Sequence, residues 1–354
     1  MTKTPDIILS ASGWRKVFTA SGKDNDPFPR IGKENTIISL LAAEIFADYV
    51  IEVTGNKNPI IVCGIDTRPT GPSIADAVLR VFLAKGIVPR YIGITAAPEI
   101  MASSARYNGF IYISASHNPI GYNGLKFGLN NGGVLEGSEN AKLSAKFREC
   151  WKQPGTAERL STLIKKCRPS ELDWIYMNAI SAKKEASAYY HDFMIRVIAD
   201  SDSLMIQNDI FSLLREKAVE KKIDIVCDMN GSARSLSIDK NFFTECGIGF
   251  FPINNNPGQI VHGICPEGEN LSYCACEMEH LQSEGRKTAV LGYMPDCDGD
   301  RGNIVYWDQK DSCAKVLKAQ EVFALSVLSE LAYNSWRHAD DKKYKPAVVV
   351  NGPT

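Results

Sequence analysis

Phe110-Ile111-Tyr112-Ile113-Ser114-Ala115-Ser116-His117-Asn118-Pro119 joins four apolar residues to a run of turn formers. The apolar run reads as a strand that delivers the chain to Ser114. Gly121-Tyr122-Asn123-Gly124-Leu125-Lys126 prolongs the polar stretch beyond it. A buried strand that ends in a polar loop is what α/β domains use to place ligands at strand C-terminal ends.

Outward from that stretch, strand and helix patterns alternate. Residues 36–53 carry apolar side chains at helical spacing (Ile37, Leu40, Leu41, Ile45, Val50), and Gly55 to Pro59 break the pattern. Residues 61–65 predict a buried strand ending in Asp66-Thr67-Arg68-Pro69. Ser73 can cap a helix to about Lys85, ended by Gly86. A short strand over 88–92 and a helix from Pro98 to about Tyr107 lead back to the opening stretch. A second series follows: a helix over 186–199, strands over 223–228 and 249–253, a helix over 269–284, and a strand over 288–292 running into Asp296. A helix over 318–334 and a strand over 347–350 suggest the start of a third unit, and the charged residues 337–345 read as a solvated turn.

The 354 residues are too many for one core, and composition is that of a globular protein, 44% hydrophobic and 23% charged. The formal net charge of −1 offers no positive field to gather nucleic acid or an anionic membrane. No nucleic-acid or membrane partner is therefore expected. A small anionic ligand would need a local basic pocket. The first six residues lack a signal pattern, and charges interrupt every apolar stretch well short of a span. Ten cysteines without a C-x-x-C pair point to reduced thiols and a cytoplasmic protein. His262, Cys265, Cys274 and Cys276 could be zinc ligands, but their spacing matches no common zinc pattern.

In the serine loop, small residues and glycines let backbone N–H groups approach a phosphate, and a serine hydroxyl there can accept a phosphoryl group. His117 and Lys126 can supply positive charge or move protons. By residue type alone the loop also fits a polar surface turn. A second loop, Asp296-Cys297-Asp298-Gly299-Asp300-Arg301, weighs against that. Three carboxylates at alternate positions can converge. Uncompensated, each pair at 4 Å repels by about 4 kcal/mol at an effective dielectric of 20. A hard divalent cation removes that cost, and Gly299 permits the curl. An EF-hand fails, because Arg301 stands where glycine is needed and Trp307 where glutamate is needed. A haloacid-dehalogenase-type site would use an aspartate nucleophile and leave Ser116 without a role. An exposed acidic turn is the remaining alternative.

Taken together, the two loops resemble a known family. Ser114 to Pro119 resembles the Thr-Ala-Ser-His-Asn-Pro signature of the α-D-phosphohexomutases, the phosphoglucomutase/phosphomannomutase superfamily. Asp296 to Arg301 resembles its Asp-Gly-Asp-Gly-Asp-Arg metal loop. Ser12-Gly13-Trp14-Arg15 and Gly64-Ile65-Asp66-Thr67-Arg68-Pro69 resemble two further stretches, all in family order. Ser114 replaces a threonine, Cys297 replaces a glycine and must point away from a metal, and Lys16 stands where many members have glycine.

The resemblance implies consecutive α/β/α-type domains with mixed sheets, phosphoglucomutase-like. Residues 1–185 would be domain 1 with the phosphoserine loop, 186–312 domain 2 with the metal loop, and 313–354 an incomplete start of domain 3. It implies a Mg²⁺ cofactor bound by Asp296, Asp298, Asp300 and a phosphate oxygen on Ser116. Arg15, His117 and Lys126 would be catalytic with Ser116, Lys126 as a proton-transfer candidate. Arg301 and Asn123 would touch substrate. The implied partners are a hexose phosphate and a hexose 1,6-bisphosphate, with phosphate moved between C1 and C6 through a phosphoserine enzyme. The sugar-selecting loop of domain 3 and the distal phosphate loop of domain 4 are expected to lie outside these residues, leaving little turnover to this chain alone. A phosphoglucosamine mutase, or a sugar-phosphate-binding paralogue without turnover, are the other readings.

Overall fold

The computed structural model describes residues 5–339 and 345–349. The first unit runs β1 (Ile8–Ser10), β2 (Gly13–Val17), α1 (Gly32–Thr54), β3 (Ile60–Ile65), α2 (Gly71–Ala84), β4 (Val88–Ile94), α3 (Ala97–Ser104), β5 (Gly109–Ile113), β6 (Tyr122–Leu129), α4 (Gly137–Lys152), α5 (Thr156–Ile164) and α6 (Pro169–Ala199). The second runs α7 (Leu204–Lys221), β7 (Asp224–Asp228), α8 (Asp239–Glu245), β8 (Gly249–Ile253), α9 (Ser272–Ser283), β9 (Ala289–Pro295), β10 (Gly302–Asp308) and β11 (Cys313–Val316), followed by α10 (Ala319–Arg337).

Two mixed sheets result, ordered β1-β2-β6-β5-β3-β4 and β11-β10-β9-β7-β8. They share a plan. In each, three parallel strands (β5-β3-β4, β9-β7-β8) are followed by an antiparallel return strand (β6, β10) beside the third. The serine loop joins β5 to β6, and the aspartate loop joins β9 to β10. The expected α/β class with consecutive units is what the chain forms.

The first sheet is buried on both faces, so its strands need no polar alternate. Ile61, Cys63, Ile65, Ile111 and Ile113 face a core built with α1, α2, α4 and α5. Val62, Phe110 and Tyr112 face the opposite core with α3 and α6. Trp14 anchors the larger core, edge-on to Phe127 and Phe147 at 5.0 and 5.2 Å, its indole N–H donated to Asn140 Oδ1 at 3.0 Å. Truncating such a residue to alanine costs about 3–5 kcal/mol. Helix α1 ends where expected, at Gly55 with φ 64°, whose N–H reaches Ile51 O at 2.9 Å.

Several expectations are corrected. Ser73 does not cap α2: the helix starts at Gly71, and Ser73 Oγ donates to Pro29 O at 3.1 Å. Pro72 in the first turn needs no donor, which suits that start. The helix expected from residue 186 begins at Pro169, so the boundary expected at 185 falls inside α6. Lys183 interrupts the apolar pattern there, yet it is half-buried, with its ammonium 2.6 Å from the buried Glu99. The chain leaves the first unit at Asp200, whose φ of 47° ends the helix. In α10, Arg337 Nη2 donates to Ala199 O at 3.0 Å, satisfying a terminal carbonyl of α6. Residues 345–349 form no strand, and Val350 lies outside the described residues. Strand β6 was unanticipated because its glycines read as loop. Two of them are required by close approach: a Cβ at Gly124 would meet Trp14 O at 2.4 Å, and one at Gly128 the Phe110 ring at 2.1 Å. Among the described residues no helix is long and apolar enough to cross a membrane.

Candidate active site

The two hairpin loops meet. Ser116 Oγ donates to Asp296 Oδ2 at 2.6 Å, and Ser114 Oγ donates to Asp298 Oδ2 at 2.9 Å. Lys126 Nζ, on β6, reaches Asp298 Oδ2 at 2.7 Å and Asp300 Oδ2 at 3.0 Å. Backbone contacts join the units as well: Ala97 N–H at the start of α3 donates to Asp298 O at 2.8 Å, and Ala233 N–H donates to Cys297 O at 2.9 Å.

Local structure explains each placement. Ser116 adopts φ 54°, a left-handed conformation that turns the chain sharply after β5. Its N–H is held by Ser114 Oγ at 2.9 Å, so one hydroxyl serves both the Ser116 backbone and a carboxylate across the cleft. Arg68 is fully buried and donates to the backbone carbonyls of Ser116, Asn118, Pro119 and Tyr122. The aspartate loop closes on itself. Asp296 N–H reaches Arg301 O at 3.0 Å, and Gly299 N–H reaches Asp296 O at 3.1 Å and its Oδ1 at 3.0 Å. Gly299 has φ 71°, and a Cβ there would meet Arg234 Cγ at 2.4 Å, so no other residue fits. Cys297 points away from the carboxylates, as its bulk requires, with Sγ 3.4 Å from Thr67 Oγ1.

The electrostatics are those of a cation site. Among the described residues, Asp296, Asp298 and Asp300 alone form a group of metal-capable side chains, with ligand atoms within 4.8 Å of one another. Burial, then the charge of Asp298, push the Asp296 carboxyl up to about 7. Burial would raise Asp298 too, but the Lys126 ammonium outweighs it and holds that carboxyl below its ordinary value. Asp298 Oδ1 is buried with no hydrogen-bond partner. An orphaned buried carboxylate oxygen costs several kcal/mol less when a cation takes it. Three hard oxygen donors with no nitrogen or sulfur suit magnesium, calcium or manganese. The residues present fit the implied metal.

Lys126 is 7% exposed; burial would lower its pKa, but Asp298 and Asp300 raise it above the ordinary lysine value. It is a fixed positive charge. The His117 imidazole is pushed down by burial, then by the charges of Arg301 and Arg15. It lies with Nδ1 3.5 Å from Ser116 Oγ. Arg15 is half-buried and rests its guanidinium on Ser12 Oγ and Ser12 O, each at 3.2 Å. Arg301 is exposed at the mouth.

Asn123 is a correction. It is fully buried, donates to Thr70 Oγ1 at 2.9 Å and accepts from Gly124 N–H at 2.8 Å. Strand alternation puts it on the core-facing side with Leu125 and Phe127, opposite Lys126. The zinc reading finds no support: His262 Nε2 pairs with Asp228 Oδ2 at 2.8 Å, Cys274 is buried, Cys276 is exposed, and the cysteines are free. Arg68 and Ala97 were missed. The signals for Arg68 were an arginine two residues after an aspartate at a strand end and its place in the stretch that resembles the family.

Residues 12–153 match the family model described as phosphoglucomutase/phosphomannomutase, α/β/α domain I. Phosphoglucosamine mutase of Methanococcus vannielii is 27% identical over 242 residues, 68% of this chain and 46% of that protein. A phosphoglucomutase/phosphomannomutase family protein from Burkholderia thailandensis superposes with TM-score 0.56 at 17% identity, covering 91% of this chain and 59% of its own. The Paramecium phosphoglucomutase parafusin, in an open form, gives TM-score 0.51 at 16% identity, covering 86% and 54%. The chain spans about half the length of the curated relatives it matches.

Proposed function

We propose, from the premise that this chain belongs to the α-D-phosphohexomutase superfamily, that it carries the phosphoserine and metal half of a hexose phosphomutase. The observation that carries this is the 2.6 Å contact of Ser116 Oγ with Asp296, inside a triad of carboxylates in which one buried oxygen has no hydrogen-bond partner.

Magnesium held by Asp296, Asp298 and Asp300 would neutralise charge on the phosphoryl group carried by Ser116. The protein's own groups do the rest. A sugar hydroxyl attacks the phosphorus and loses its proton to solvent, the bond to Ser116 Oγ breaks, and that oxygen takes up one proton in exchange. When Ser116 recaptures the other phosphate, its hydroxyl proton passes to His117 Nδ1, 3.5 Å away. Lys126 stays charged and stabilises the transferring oxygens rather than acting as a base. Arg15 and Arg301 lend positive charge at the mouth, Arg301 to the sugar's phosphate. Helix α10 would open a third domain.

Incubation with hexose 1,6-bisphosphate and Mg²⁺, followed by peptide mass spectrometry, tests the proposal. One phosphate on Ser116, absent without Mg²⁺, is expected. Phosphate on another residue, or none, would overturn it. The curated relatives favour an amino sugar within the same class. Faster discharge of phosphoserine to glucosamine 6-phosphate than to glucose or mannose 6-phosphate would support that narrower reading.

A further inference from the structure

We propose that Arg68 is the positioning residue of the serine loop, fixing the conformation in which Ser116 carries phosphate. The inference rests on the proposed function only for what the loop carries; the loop's geometry stands by itself.

A guanidinium has five N–H bonds in one plane. In Arg68 all five are used, and four go to one loop. Nη2 donates to Ser116 O at 2.7 Å and to Asn118 O. Nη1 donates to Tyr122 O at 3.1 Å and to Pro119 O. Nε donates to Asp66 Oδ2 at 3.2 Å, and Asp66 Oδ1 accepts the Arg68 N–H at 3.0 Å. Both side chains of that pair are 0% exposed. Asp66 therefore sets the plane of the fork, and the fork sets the loop.

Two consequences follow for chemistry at Ser116. A non-glycine residue at φ 54° is held against a local cost of about 1 kcal/mol or more, and the bond to Ser116 O restrains that peptide. Carbonyl oxygens repel a phosphate dianion, and Arg68 draws four of them toward itself. The trans Ser116–His117 peptide must then aim its N–H away from the guanidinium. A lysine cannot do this, because its three donors leave one nitrogen and cannot span four acceptors.

The test uses Arg68→Lys, with Arg68→Gln and Asp66→Asn beside it. Amide hydrogen exchange over residues 114–123 should accelerate about 10-fold or more in Arg68→Lys, with β7 to β10 unchanged. Transfer from hexose 1,6-bisphosphate to Ser116 should slow about 10- to 100-fold, while the half-saturating bisphosphate concentration stays within about two-fold. Asp66→Asn, which keeps the fork but frees its plane, should fall between Arg68→Lys and the parent. If the arginine variants fail to fold, Asp66→Asn decides alone. Parent-like loop exchange in a folded variant overturns the inference, as does parent-like transfer. A parent protein that takes no phosphate would instead defeat the proposed function, and the exchange measurement would still judge Arg68.

Discussion

The serine loop and the aspartate loop sit at equivalent places in their sheets and are held by opposite means. Each follows the third of three parallel strands and leads into an antiparallel return strand. The aspartate loop is closed largely by its own residues, Asp296, Gly299 and Arg301, with the Ala97 and Ala233 N–H groups donating to its Asp298 and Cys297 carbonyls from outside. The serine loop is tied from outside, by an arginine 48 residues before Ser116. A loop closed mainly on itself can present charge at a fixed spacing with few outside ties. A loop tied from outside can hold an unusual backbone, at the cost of depending on its neighbours. Under the proposed function, a phosphate carrier would use an unusual backbone and a ligand set a fixed spacing, which fits the division.

The largest effect expected is at the carrier. Ser116→Ala should abolish phosphate uptake from hexose 1,6-bisphosphate while the melting temperature stays within a few degrees. Phosphate retained elsewhere in the loop would break the assignment of roles. Next comes Asp298→Asn, which removes the partner of both Ser114 and Lys126 as well as a ligand. Magnesium affinity by calorimetry should fall at least about 100-fold. An unchanged affinity would mean that the triad does not hold the metal.

A pH effect of opposite sign at neighbouring aspartates sharpens the comparison. Asp296 has its carboxyl raised to about 7, against an ordinary value of about 3.9. The native state therefore binds that proton more tightly than the unfolded state does. Its stabilising contribution is full below about pH 4 and is lost as pH rises through 7. Relative to Asp296→Asn, the metal-free protein should lose melting temperature between pH 5 and pH 8, and saturating Mg²⁺ should flatten that difference. A relative gain over the same range would contradict the sign. Asp298, held low against its burial by Lys126, contributes at neutral pH and loses its contribution only in acid. The smallest effect is at the seam between the loops. Cys297→Ala removes a 3.4 Å contact with Thr67 and should cost about 1 kcal/mol or less, with metal affinity unchanged.

That difference in support also explains what the sequence disclosed. The aspartate loop is contiguous, so the convergence of its three carboxylates, its required glycine and the outward turn of Cys297 were all legible. Ser116 was legible as a hydroxyl after a buried strand. Its supports were not, because Arg68 and Ala97 act through tertiary contacts that no local spacing records. Asn123 was misplaced because polarity in a glycine-rich stretch gives no direction until β6 fixes which residues alternate inward. The boundary inside α6 has a similar origin. Lys183-Lys184-Glu185 reads as a surface break, whereas Lys183 is neutralised by buried Glu99, itself bonded to Ser187 and Ser237.

The central claim is that the carrier and the metal share one site. Phosphorus NMR of the protein carrying phosphoserine at 116 tests it directly, with Mn²⁺ in place of Mg²⁺. Stoichiometric Mn²⁺ should broaden the phosphoserine resonance beyond detection, and Asp298→Asn should keep it visible. A sharp resonance from the parent protein at stoichiometric Mn²⁺ would contradict the account.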